Sequence, residues 1–363
     1  MNHKILLPLS ILLLAACSKN DADLSSDSPI EFSPNALQTK ALILPGTTVP
    51  AQNAFPTTES FNVFAFADLD GAGTAYATDY VKPLMNDVNI SYQGESWKAT
   101  SGTYLWPATG SVDFYAYYPS SLTAAIVTET PVGLSLSGVN VGTSVGSQID
   151  PLVARSVAQV SSAKPVVPLV FRHITSQFAA KAFDATVTDA LKGKIFIEKV
   201  EFKNMNTVGD YRDAESSGSG SWSNQGTPGN FILFEGSQRL AEEASYVAGD
   251  RFSDAITNSS AFVAIPGIVS DSDDAAGILV TYSIDSYTLN GFVYPATESR
   301  TVRIPLYGRV SDNRLKNGRR YVFNIGISLD GAKNEILFAP TVDGWETESI
   351  DGITVDAFNG ELL

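Results

Sequence analysis

Along most of this sequence, alternate residues share a face, which is a period of two. This period limits the chain to β-strands. Ser60–Asp68 places Phe61, Val63 and Ala65 on one face, and residues 112–119 sort in the same way. A period of two is the side-chain period of a strand, whereas a helix needs 3.6. With 44% hydrophobic and 17% charged residues, the chain can also bury a large core. We therefore expect an all-β globular protein.

Two segments make sharper local predictions. In residues 194–205, Ile195 and Ile197 share a face that Phe202 does not, so we expect a β-bulge near Glu198 or Lys199 that switches the buried face. Asn290-Gly291 separates two alternating runs and predicts a tight hairpin turn, because both residues accept a positive φ.

Other segments carry weaker predictions. Residues 319–330 and 335–342 are expected to form a pair of strands. The Ser/Gly-rich residues 213–230 indicate a loop or hairpin tip, and residues 186–194 indicate one helical turn at most.

Length sets the domain organisation. About 345 residues follow the leader segment, too many for one ordinary core, and no fixed-period repeat indicates a propeller or solenoid. We expect two tandem antiparallel β-sandwich domains, residues 30–173 and 174–363, with the boundary near residues 171–177.

The N-terminus has the pattern of an export signal. Lys4 precedes a short apolar run, and small residues lead to Cys17, the only cysteine of the chain. Residues 1–16 are therefore expected to be a signal peptide, since the apolar run is shorter than the ~20 residues that span a bilayer. The sequence from Leu14 to Cys17 resembles the lipobox of bacterial lipoproteins. That resemblance implies lipidation of Cys17, with residues 17–29 as a polar tether; the alternative is a stray cysteine in a removed signal.

Composition and motifs argue against several functions. The net charge of −15 disfavours nucleic acid as a partner. His173 is the only histidine outside the leader, so no pair of histidines can bind a metal, and we expect no metal, cofactor or catalytic site.

The calcium-like loop at residues 68–73 is interpreted as a turn and the acidic residues 271–277 as a solvated loop. A carboxylate pair for glycoside hydrolysis is left open, since any two acids could meet.

The aromatic residues of one strand allow two interpretations. Tyr115, Tyr117 and Tyr118 could line a carbohydrate-binding face, or they could fill the core and cover the sheet. The second is the more common role of alternating aromatics in a β-sandwich.

Four segments, in order along the chain, resemble one family. They are an opening strand at residues 29–41, a Trp-Pro turn and aromatic strand at 102–119, a Phe-x-His junction at 168–182, and a closing segment at 315–345. Together they resemble fimbrillin-like proteins, the major and minor fimbrial subunits and adhesins of Bacteroidetes-type bacteria. The resemblance implies two transthyretin-like β-sandwich domains and a lipoprotein precursor at the outer membrane and cell surface.

For some members the resemblance also implies an assembly mechanism. A trypsin-like protease removes the leader with the first strand, and a strand of another subunit fills the groove. Members commonly carry arginine at the cleavage site, but this chain has no arginine before Arg155, so Lys40-Ala41 is the positional match. Alternatively, Lys40 is an ordinary polar residue. The alternating C-terminal residues 352–363 could be an intrinsic strand or a donor strand.

The functional expectation is a non-enzymatic surface lipoprotein that acts as a fimbrial subunit or adhesin. Its expected partners are other pilus subunits, the outer membrane through the lipid on Cys17, and a host or glycan receptor. Two alternatives stay open: a permanently lipidated anchor or tip subunit, and a glycan-binding lipoprotein of a sugar-uptake system. The mature protein would lie on the outer membrane or in the extracellular fimbrium.

Overall fold

The computed structural model describes residues 28–36, 55–68, 83–127, 133–144, 147–163, 166–213, 220–240, 261–329 and 346–356. Nearly all regular structure in these ranges is β-strand, with short 3₁₀ turns at Ser161–Ala163 and Ser311–Asn313. The prediction of an all-β protein is confirmed. Within the described ranges, no helix is long and apolar enough to cross a membrane.

The first nine strands run to His173. They are β1 (Phe32–Ala36), β2 (Ser60–Asp68), β3 (Met85–Gln93), β4 (Ser96–Ala99), β5 (Ser111–Tyr118), β6 (Thr123–Val127), β7 (Gly133–Asn140), β8 (Leu152–Val160) and β9 (Val167–His173).

The remaining strands follow a short connection. They are β10 (Ser176–Asp184), β11 (Ile195–Arg212), β12 (Ser221–Arg239), β13 (Phe262–Ala264), β14 (Gly277–Ile284), β15 (Tyr287–Leu289), β16 (Phe292–Tyr294), β17 (Arg300–Pro305), β18 (Arg319–Ser328) and β19 (Glu346–Asp356).

The strands of the N-terminal unit form a closed barrel, a difference from the predicted antiparallel sandwich. Seven strands close in the order β1-β4-β3-β2-β5-β8-β9. Closure is possible because β1 pairs on both sides, antiparallel with β4 and parallel with β9. A closed sheet has no free edge, which an open sandwich would leave exposed. The transthyretin-like topology stays a prediction.

The second unit is sandwich-like, as predicted, but it is not wholly antiparallel. One sheet has the order β13-β10-β18-β19, and its β10–β18 and β18–β19 pairs are parallel. The other has the order β17-β14-β11-β7-β6, with β12 also paired to β11. Both sheets contribute to one core, in which Phe202 contacts Phe178 at 5.9 Å and Phe323 at 5.5 Å between ring centroids.

The chain passes between the two units more than once. The hairpin of β6 and β7 lies between barrel strands β5 and β8 in sequence, yet β7 pairs with β11 of the second unit. The last barrel strand ends at His173 and β10 begins at Ser176 in another sheet. The division into residues 30–173 and 174–363 stays a prediction, and it does not account for β6 and β7.

A third apolar cluster joins the barrel to the second unit. The outer faces of β2, β5 and β8 meet residues of β7, β11 and β13, and the buried members include Phe64, Tyr115, Leu136, Tyr211 and Val263. Burial of apolar area at ~25 cal/mol per Å² makes this contact a substantial stabilising term. The barrel therefore packs on the sheets through its own apolar outer face.

Three local predictions are confirmed. The pairing register of β11 shifts between Ile197 and Lys199 against both neighbours, which is the predicted bulge. Asn290 and Gly291 have φ of 51° and 82° and connect β15 to β16. Residues 186–194 form turns without an α-helix.

Two other local predictions have different outcomes. The expectation of a loop or hairpin tip at residues 213–230 is wrong for Ser221 onward, because that half belongs to β12; the antiparallel pairing of β12 with β11, from Arg212 opposite Ser221, fits the hairpin alternative. Residues 335–342 lie outside the described ranges, and in the described residues β18 pairs in parallel with β10 on one side and with β19 on the other.

Candidate functional site

Strand β1 closes the barrel between β9 and β4. Five consecutive residue pairs, from Phe32 opposite Val167 to Ala36 opposite Phe171, join β1 to β9. On its other side, β1 has one pair, Phe32 opposite Trp97 of β4. Strand β1 is thus a short closing strand, held mainly along one edge by main-chain hydrogen bonds.

The side chains of β1 alternate between the barrel interior and solvent. Phe32 and Pro34 are buried, whereas Ser33 and Asn35 are exposed. The Phe32 ring makes edge contacts with Phe61 at 6.2 Å and with Phe114 at 5.7 Å. Burial of a Phe side chain stabilises a fold by roughly 1.5–3 kcal/mol. The strand therefore contributes an apolar row to the barrel core as well as main-chain pairing.

The residues just before β1 are held by the segment that carries the Trp-Pro turn. The amide of Ile30 donates to the carbonyl of Tyr104 at 2.9 Å, and the amide of Trp106 donates to the carbonyl of Ser28 at 3.1 Å. The amide of Val167 donates to the carbonyl of Glu31 at 2.8 Å. The segment from Ser28 to Ala36 is thus bound to β4, β9 and the Trp-Pro segment together.

The residues predicted from sequence as lipidation and processing sites are Cys17, Lys40 and Ala41. All three lie outside the described residues. Strand β1 lies between Cys17 and Lys40 in the chain, so any cut after Lys40 would separate β1 and the cysteine from the remainder. This relation follows from chain order alone, and both assignments stay predictions.

His173 is a buried residue at the junction of the two units. Its Nδ1 lies 2.7 Å from Oδ2 of Asp150, and the hydroxyl of Thr175 donates to Asp150 Oδ1 at 3.0 Å. Both side chains of the His-Asp pair are at most 4% exposed. This burial and pairing fit a structural histidine at the junction.

The three tyrosines of β5 belong to cores. Tyr115 and Tyr117 are fully buried in the cluster between the units, and Tyr118 faces the barrel interior. Burial, with the nearby Asp87 carboxylate adding to it, raises the pKa of Tyr117 well above its usual range. Of the two interpretations made from sequence, the core role is correct, and these residues cannot form a carbohydrate-binding face.

The polar residues that join the two units carry no local pattern in the sequence. The guanidinium of Arg172 on β9 forms an ion pair with Asp213 after β11, and the hydroxyl of Tyr211 donates to the same carboxylate at 3.3 Å. Burial by itself would lower the pKa of Arg172, but Asp213 and Tyr211 outweigh it and raise the pKa. The pairing partner lies 41 residues away in sequence, so no local pattern could indicate it.

A second polar contact imitates strand pairing. The side-chain amide of Gln148 donates to the carbonyl of Val263 at 2.7 Å, and the amide of Val263 donates back to Gln148 Oε1 at 2.8 Å. Because Gln148 is buried, this pair of bonds satisfies main-chain groups in the middle of β13 that would otherwise be costly to bury.

Among the described residues, no group of three or more His, Cys, Asp or Glu side chains could hold a metal ion. The acidic residues at 271–274 are exposed, in keeping with a solvated loop. Of the calcium-like loop, Asp68 alone falls within the described ranges.

The architecture defines an all-β protein in which a barrel with a short closing strand packs on a β-sandwich. A family model described as fimbrillin-like matches residues 47–345, which is most of the chain. The chain belongs to the fimbrillin-like family, as the resemblance of its four segments predicted. The match begins after β1 and Lys40 and ends at Trp345.

Solved structures give weaker similarities. One is a candidate cell adhesion protein from Bacteroides uniformis, 17% identical over 83% of this chain and 95% of that one, with a TM-score of 0.47. A second candidate cell adhesion protein, from Bacteroides ovatus, is 16% identical over 89% and 100%, with a TM-score of 0.45. A fimbrial protein from Bacteroides vulgatus is 14% identical over 82% and 95%, with a TM-score of 0.44. A comparison with curated protein sequences gave no match.

Proposed function

We propose that this chain is a non-enzymatic fimbrial subunit or adhesin, exported as a lipoprotein on Cys17 and displayed on the cell surface. Membership of the fimbrillin-like family carries the proposal. Two buried cores and the polar contacts between them suit a structural subunit.

Assembly by strand exchange is the mechanism that we propose for the subunit. Cleavage after Lys40 would release β1 together with the lipid anchor, since both precede the cut. The edges of β4 and β9 would then present main-chain donors and acceptors, beside an apolar groove lined by Phe61 and Phe114. An extended strand from another subunit would restore both the pairing and the apolar row. The short length of β1 favours replacement by a longer incoming strand.

The experiment that tests this proposal determines the N-terminus of the protein on its native cell surface by intact mass and peptide sequencing. A chain that begins at Ala41 and forms polymers on size-exclusion chromatography supports a processed pilus subunit. A chain that begins at lipidated Cys17 refutes processing and leaves a permanently anchored subunit. The variant Lys40→Gln should block cleavage, whereas the matched variant Lys19→Gln, in the tether, should leave it unchanged.

A further inference from the structure

The hairpin of β15 and β16 exposes three large apolar residues in a row. The two strands form a separate two-stranded sheet. Phe292, Val293 and Tyr294 are 70%, 75% and 40% exposed, and Pro295 and Ala296 after them are exposed as well. Runs of consecutive exposed apolar residues cost solubility, so they indicate an interaction surface.

The hairpin is a fixed platform. Its register places Tyr287 opposite Tyr294 and Leu289 opposite Phe292, and the two tyrosine rings stack with centroids 4.8 Å apart and an interplanar angle of 11°. Tyr287 is buried and Leu289 packs against the sandwich core, so this edge is anchored.

Hydrogen bonds also hold the base of the hairpin. The amide of Thr297 donates to the carbonyl of Ile284 at 2.9 Å, and the amide of Ile284 donates to the hydroxyl of Thr297 at 3.1 Å. The exposed rings of Phe292 and Tyr294 therefore stand on a rigid support, and binding would cost little ordering entropy.

The spacing of the two exposed rings suits a flat ligand that extends along the strand. Phe292 and Tyr294 lie two residues apart on one face of β16, which puts their Cα atoms about 7 Å apart. An aromatic ring presents a broad apolar face, and the tyrosine adds a hydroxyl at its edge. Neighbouring rings of a sugar polymer can lie against such a pair.

The charge of the chain and the small size of the hairpin together indicate which class of partner it can bind. Residues 286–296 contain no charged side chain, but they offer the uncharged hydrogen-bonding groups of Thr288, Asn290 and Tyr294. The chain carries a net charge of −15, which disfavours anionic polymers and anionic lipid surfaces. A hairpin of this size supplies far fewer than the ~20–30 residues per side that a standard protein interface uses.

We propose that the β15–β16 hairpin binds a neutral polysaccharide through Phe292 and Tyr294. The inference rests on the adhesin branch of the proposed function, for which it names the class of receptor. It does not depend on cleavage after Lys40 or on strand exchange.

The test measures retardation of the unprocessed soluble chain, starting at Ser18, in native gels that contain starch, xylan, mannan or mixed-linkage β-glucan. We expect retardation by at least one of these polymers. Phe292→Ala and Tyr294→Ala should each weaken the affinity by about tenfold, a loss of ~1.4 kcal/mol. Tyr307→Ala is the matched control, because Tyr307 is 39% exposed and lies outside the hairpin.

Three results would overturn the inference. The first is no retardation by any of the four polymers, and the second is retardation that both hairpin variants retain. The third is that the hairpin variants lose self-association, or binding to phosphatidylcholine vesicles, and do not lose polymer binding. Circular dichroism of each variant separates these results from misfolding. A failure here leaves the N-terminus experiment unaffected, so failure of the receptor proposal and failure of the pilus proposal are distinguishable.

Discussion

Phe32 lies opposite Val167 in a parallel pairing, although the two residues are far apart in the sequence. This pair begins the ladder that closes the barrel, and Phe32 also lies opposite Trp97 on the other side of β1. Loss of β1 would thus open two strand edges and remove an aromatic ring from the core at once. Removal of the closing strand would therefore change both the shape and the surface of the barrel.

Truncation of Phe32 should destabilise the barrel strongly. Phe32→Ala removes a ring that is 3% exposed and packs against Phe61 and Phe114, and we expect a loss of about 3–5 kcal/mol in the free energy of unfolding. Asn35→Ala on the same strand should change it by less than ~0.5 kcal/mol, because Asn35 is exposed. Urea unfolding followed by tryptophan fluorescence measures both; equal midpoints would contradict the role of β1 as a core strand.

The Arg172–Asp213 ion pair should be a sensitive point of the contact between the two units. Arg172→Met leaves the Asp213 carboxylate, which is 2% exposed, without its guanidinium, and we expect a loss of roughly 3–5 kcal/mol. Arg172→Met combined with Asp213→Leu should recover part of that loss, since no buried charge then remains.

Differential scanning calorimetry of these variants also reports whether barrel and sandwich unfold together. The control is Arg314→Met at an exposed position, which should stay within about 0.5 kcal/mol of the parent. If the double variant recovers none of the lost stability and the two single effects simply add, the ion pair makes no such contribution to the free energy of unfolding.

The ionisation of Asp210 should make part of the free energy of unfolding depend on pH. The amide of Gly138 and then the side-chain amide of Asn224 donate to its carboxylate, and they lower its pKa below the ordinary 3.8. A lowered pKa in the folded state contributes stability above pH 3.8, and this contribution is lost as the pH falls through the folded value.

The measurement for Asp210 compares urea midpoints of the parent chain and Asp210→Asn from about pH 6 down to about pH 2. The parent should be the more stable near neutrality, and the difference should shrink in acid. A difference that is constant over this range would exclude a linkage between Asp210 ionisation and folding.

Deletion of residues 353–363 tests whether the C-terminal segment is a donor strand. Part of this segment lies in β19, which pairs with β18 from Ile325 to Ser328 and occupies the end of its sheet in the described structure. A strand with one neighbour can leave more easily than a central strand. We expect the truncated chain to be secreted as a folded monomer that no longer polymerises. Normal polymers from the truncated protein would instead assign the segment an intrinsic role.

Local sequence patterns determined the strand content and several details of the chain. The change of face in residues 194–205 located the bulge after Ile197, and Asn290-Gly291 located the β15–β16 turn. These features depend on neighbouring residues alone, since side-chain alternation and the tolerance of positive φ are local properties. Family membership was also visible from the order of four short segments.

The tertiary structure decided how the strands pair and which faces are buried. Every strand edge carries the same main-chain donors and acceptors, so alternation cannot tell that β1 joins β9 in parallel or that β7 joins β11. For the same reason, the sequence does not distinguish Tyr115 from Phe292, since both are aromatic residues in strand-like segments. In the structure, Tyr115 is fully buried and Phe292 is 70% exposed. Burial depends on what packs against a strand face, and that packing brings together residues from distant parts of the chain.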